Sequence, residues 1–176
     1  MPEGVLLQGV SGDGLVDVPQ LADGEAGTQE PLGVGAVGVP PPVRFIPCRG
    51  HDAVDAADTE VERLTEVQGW SPGSVSLLTT NHRHPVQIEM VEGVGVDAYW
   101  DDFFAGEDVF YGHVLAFKGL ERPVVVLAVN GFRDISRAKE MLYVGLSRAR
   151  TQLVACGDPQ LIADVGGEAV RRRLTW

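Results

Sequence analysis

The chain has 176 residues, 44% hydrophobic and 22% charged, with 25 acidic against 14 basic side chains and a net charge of −11. A surplus of that sign argues against broad nonspecific binding to nucleic acid, although a local basic face can still follow a phosphate backbone. No stretch approaches the length of a membrane span, and two cysteines without Cys-x-x-Cys spacing point to a reducing cytoplasm, with neither a disulfide framework nor a metal site.

In chain order, the first 42 residues differ in kind from the rest. Up to Val43 there are nine glycines, six prolines and six acidic residues, but no Lys, Arg, His or aromatic residue. This composition predicts an atypical segment over 1–42, disordered or loosely packed, ahead of a domain over 43–176. Gly33, Gly35 and Gly38 satisfy G-x-G-x-x-G in letters, but Pro40, Pro41 and Pro42 follow where that motif requires a helix to open. No basic stretch precedes an apolar core, so the start does not read as a secretory signal.

Residues 43–48 read as a strand, and Val54, Ala57, Val61, Leu64 and Val67 mark an amphipathic helix ending near Gly69. The Pro72-Gly73 turn then opens a buried strand over 74–79. Strand, helix, strand is the order of an α/β parallel sheet, because parallel strands require a helical crossover. Asn81, His82, Arg83 and His84 read as a surface loop. Trp100, Phe103 and Phe104 read as core in preference to a base-stacking platform.

Two further runs carry chemistry. In residues 113–121 (HVLAFKGLE), Lys118-Gly119-Leu120-Glu121 forms a glycine turn between apolar strands. There the backbone can approach a ligand, and a carboxylate can accept from a sugar hydroxyl. After a buried strand over 123–129, Leu142, Leu146 and Ala149 read as the buried face of a helix, with Arg148 and Arg150 at its far end. Two readings of these arginines stand: phosphate recognition and transition-state charge stabilisation, or interaction with the helix C-terminus. Arg171, Arg172 and Arg173 read as a solvated helix end. Charge divides similarly along the chain: residues 1–108 carry −15 and residues 109–176 carry +4.

Together the two runs, about 25 residues apart, resemble motifs V and VI of UvrD/Rep-type superfamily 1 DNA helicases, and the resemblance extends weakly over roughly residues 43 to 165. It implies an α/β, RecA-like (P-loop NTPase-type) three-layer domain with a mostly parallel sheet, namely the second motor domain of such an enzyme. By resemblance, Arg148 would be the catalytic arginine that reaches the γ-phosphate across an interdomain cleft. Lys118, Gly119 and Glu121 would lie at the nucleotide, with Glu121 near the ribose, and His113 and Ala116 would face nucleic acid. The family has Thr and His where this chain has His113 and Leu115. Asn81-His82-Arg83 echoes the family's motif IV, but that motif should open the domain, ahead of the strand at 43.

ATP hydrolysis in this class needs a Gly-x-x-x-x-Gly-Lys-Ser/Thr loop to cradle phosphates. The only lysines are Lys118 and Lys139, and neither lies in such a loop. The chain is therefore not expected to hydrolyse ATP alone. ATP with Mg2+ is its expected cofactor only where an N-terminal RecA-like motor domain, in cis or trans, supplies the loop. Single-stranded DNA is the further expected partner. The alternatives are a noncatalytic module that binds nucleic acid or protein, and a truncated remnant.

Overall fold

The computed structural model describes residues 42–174. The expectation for 1–42 falls, apart from Pro42, outside them. Among the described residues, five strands and four α-helices follow in chain order: β1 (Val43–Pro47), α1 (Ala53–Glu62), β2 (Val75–Thr79), α2 (Pro85–Ala105), β3 (Phe110–His113), β4 (Arg122–Val129), α3 (Ala138–Leu146), β5 (Ala149–Gly157) and α4 (Pro159–Leu174). The strands form one sheet in the order β1-β5-β4-β2-β3, parallel at every pairing. Helices on both faces make this a three-layer α/β domain, consistent with the RecA-like expectation.

The central strand shows why. All of Val124, Val125, Val126, Leu127, Ala128 and Val129 are fully buried. Side chains alternate across a strand, so a continuous apolar run requires cover on both faces. Val125, Leu127 and Val129 join a cluster with Leu142, Leu146, Ile162 and Phe117, whereas Val124, Val126 and Ala128 join Ala57, Val61 and Leu64 from α1. Each fully buried Val or Leu contributes about 1.5–3 kcal/mol of transfer free energy. α3 packs closely on β4 at Gly145, where an added Cβ would lie 2.6 Å from Leu127 Cδ1.

Local signals set the helix ends. Asp158 Oδ1 accepts from the backbone N–H of Gln160 at 2.8 Å, with Pro159 opening α4, which satisfies a donor the first helical turn leaves free. His84 caps α2 with Nδ1, accepting from Val86 N at 3.0 Å. Its Nε2 lies 2.8 Å from Asp58 and its ring packs 4.5 Å from Tyr111, so this histidine is buried and not in a surface loop.

Other expectations also change. α1 ends at Glu62 in a π-helical turn over Arg63–Val67, leaving Val67 78% exposed. Phe103 is core and Trp100 packs on it, but Phe104 is 70% exposed. α3 stops at Leu146 and Ala149 begins β5, so the four-three apolar spacing crosses a helix end. Arg173 is half-buried, donating to Leu146 O at 3.1 Å. Cys48 and Cys156, remote in sequence, become neighbours, because Cys48 N donates to Gly157 O at 2.9 Å beside them. Burial pushes the Cys156 thiol up to about 12, with Cys48 adding to the rise. No helix among the described residues is long and apolar enough to cross a membrane.

Candidate functional site

Two surfaces collect the chemistry-bearing residues, one near the start of β4 and one at the carboxyl edge of the sheet. At the first, β4 and β5 begin side by side, with Arg122 opposite Ala149. Arg122 N donates to Arg148 O at 3.1 Å, which fixes the two sequence runs against each other through their backbones. Between β3 and β4, a 3₁₀ turn over Val114–Phe117 leads into the exposed Lys118-Gly119 step. Gly119 has φ +80°, a left-handed value that a side chain would strain, so the turn depends on glycine there.

Side chains cross-link the runs further. Lys118 Nζ lies 2.8 Å from Glu140 Oε2, and Arg137 bonds the other oxygen of the same carboxylate at 3.2 Å. Hydrogen bonds from Lys118 and then Arg137 hold the Glu140 carboxyl below its ordinary range. Arg150 pairs with Glu121 at 3.5 Å.

Arg148 is placed differently. Among the described residues its guanidinium donates only to neutral oxygens, Ser147 Oγ at 3.0 Å and Leu120 O at 3.4 Å. Among the described residues, no carboxylate lies within ion-pair distance of it. The helix-capping reading is also not how the structure places it, because Ser147 and Arg173 serve the last carbonyls of α3. A forked, permanently charged group with weak neutral partners can transfer to an external phosphate while breaking no ion pair.

Beneath β4, Arg122 is 5% exposed and forms a clamp. Nη1 donates to Gly73 O and Nη2 to Phe103 O at 2.7 Å, with the guanidinium 4.3 Å from the Phe103 ring centre. This side chain anchors the start of β4, and with it the turn and Arg148 O.

The second surface is a groove of about 860 Å³ at the carboxyl ends of β2, β3 and β4. In open parallel sheets, this edge is where ligands bind. His113 and Ala116 line it, whereas Lys118, Gly119, Glu121 and Arg148 do not. Arg83, Arg133 and Arg137 line it too, so the tetrad read as a surface loop forms one wall. That wall is held by Asn130, whose Oδ1 accepts from Asn81 N at 2.9 Å and whose Nδ2 donates to His82 O at 3.1 Å. His113 Nδ1 accepts from Leu115 N at 3.2 Å, so the neutral ring carries its proton on Nε2. Burial, helped by the nearby Arg83 charge, lowers its pKa despite backbone hydrogen bonds at Asn81 and Thr80 that favour protonation. His113 is thus a neutral wall residue whose ring is engaged with backbone groups, and Arg83 and Arg133 offer the charge. Sequence reading did not select the two arginines for this surface, because their adjacency to His113 is tertiary.

No protein-family model matches the chain, and no curated protein matches it. Among solved structures, it is similar to the C-terminal domain of a possible DNA helicase from Lactobacillus plantarum, at 17% identity and a TM-score of 0.37, over 69% of this chain and 75% of that one.

Proposed function

We propose that residues 42–174 act as the second motor domain of a UvrD-like, ATP-dependent DNA helicase or related ATPase, and that Arg148 completes an ATP site whose phosphate loop another domain provides. The observation that carries this reading is the union of the two runs near the start of β4, with Arg148 the member left without a carboxylate partner. In that site Gly119 gives the nucleotide close access to the backbone, Glu121 accepts from the ribose once released from Arg150, and Lys118 supplies charge. Arg148 neutralises the charge that spreads over the transferred phosphoryl group. The carboxyl-edge groove is the surface for a single-stranded DNA backbone, and its basic side chains sit within an otherwise acidic chain.

The test is steady-state ATP turnover of the polypeptide or complex that holds both motor domains. Arg148→Ala and Arg148→Lys should each lower kcat by about a thousandfold or more, because an arginine finger acts on the transition state. Nucleotide affinity, measured separately by equilibrium binding, should stay nearly constant. Unchanged turnover would remove Arg148 from the mechanism.

A further inference from the structure

A second cavity, which borders the Arg122 clamp at Phe103 and shares no lining residue with the groove, has a different character. It encloses about 320 Å³ between α2 and the sheet's edge strand β3. Val86, Met90, Phe103 and Phe110 supply apolar lining, and Asp102 and Asp108 lie at it as exposed carboxylates. Ligand pockets span about 300–1,000 Å³, so this one is at the small end: room for one large side chain, not for a nucleotide. Phe104 extends the apolar surface beside it, 70% exposed and edge-on to Phe103 at 4.9 Å.

Charge around the cavity decides what could enter. From residue 85 to residue 117 the chain has seven acidic residues and no Lys or Arg, and the cation set against the lining from β4, Arg122, is buried and committed to the Phe103 ring and to the Gly73 and Phe103 carbonyls. Asp102 and Asp108 have no cation within ion-pair distance among the described residues, so neither charge is compensated. A nucleic-acid backbone is repelled by such a surface, whereas a cationic segment is drawn to it and held in register. Fully desolvated apolar pockets with a polar rim are where an anchoring aromatic side chain contributes most at an interface.

We infer that the cavity between α2 and β3 is a docking site for a basic segment of a partner protein, which inserts one aromatic side chain between Met90 and Phe110 and sets its flanking lysines or arginines against Asp102 and Asp108. The site is independent of the nucleotide reading above and would stand if that reading fell.

The experiment uses the full chain and a fluorescein-labelled peptide, Gly-Lys-Lys-Trp-Lys-Lys-Gly, followed by fluorescence anisotropy. Expected is saturable binding that weakens about tenfold in the Asp102→Asn, Asp108→Asn double variant, and comparably when the peptide's Trp becomes Ala. Replacing the peptide lysines by glutamates should abolish it. Lack of binding would overturn the proposal. So would equal binding of the glutamate peptide, or binding that the double variant leaves unchanged, since the peptide would then sit elsewhere. Both aspartates are exposed, so the variant should fold as the parent does, and its circular dichroism melt checks this.

Discussion

Removing the Arg122 guanidinium tests how the surface near the start of β4 is held. In Arg122→Met the side chain still fills apolar space, but Gly73 O and Phe103 O lose their donors. Hydrogen bonds from a charged donor contribute about 1.5–3 kcal/mol each, and a guanidinium over an aromatic ring about 0.5–2 kcal/mol. Against them stands the desolvation of a guanidinium that is 5% exposed, several kcal/mol that the methionine variant recovers. The balance leaves a loss of about 3 kcal/mol, which in a domain of this size lowers Tm by roughly 10 °C. Urea unfolding followed by circular dichroism measures it at constant slope. Arg122→Lys retains charge but cannot fork to two carbonyls, so it should lose about half as much. A loss under about 1 kcal/mol for the methionine variant, or a lysine variant as stable as the parent, would refute the clamp.

Three further outcomes follow from named contacts. Gly145→Ala drives a methyl group toward Leu127 and should cost about 1–3 kcal/mol, recovered in part by Leu127→Ala in a double-mutant cycle. Burial would raise the Glu60 carboxyl, but hydrogen bonds from Arg63 and Arg44 outweigh it and hold the pKa below 4.5. Its contribution to stability is therefore complete above pH 4.5 and lost as pH falls through the lower folded-state value; Glu60→Gln should flatten the stability profile in that acid window. In the groove, Arg83→Ala and Arg133→Ala should each weaken oligo-dT binding and reduce the slope of log affinity against log salt by about 0.7, and an unchanged slope would place the strand elsewhere.

Sequence legibility followed local pattern. β1, β2 and β4 were readable because their apolar runs are bounded by Pro or Gly, and a run with no polar alternation already implies a sheet covered on both faces. α2 was not readable. Its apolar residues fall on all sides, it contains Gly93 and Gly95, and the structure breaks the helix at Gly95 (φ 89°, ψ 166°) while leaving Val94 and Val96 exposed. Ala149 was misassigned because apolar spacing continues by coincidence after α3 has ended. The runs around Lys118 and Arg148 stood out from their letters, and the structure brings them together. Glu140, which binds both Lys118 and Arg137, carries no motif, and Arg83 reaches the groove only through contacts made by Asn130, about fifty residues away.

The strand order has a consequence for how the chain assembles. Among the described residues β1 pairs with β5 alone, and Val43 lies opposite Leu153. β5 is the last strand of the described domain, so this pairing forms only once nearly all of that domain has been synthesised. Bringing such distant segments together carries a loop-closure entropy that local contacts do not, which slows folding and lengthens the exposure of unpaired strand edges. Pro47 at the end of β1 limits that exposure, because proline cannot extend a ladder toward another chain.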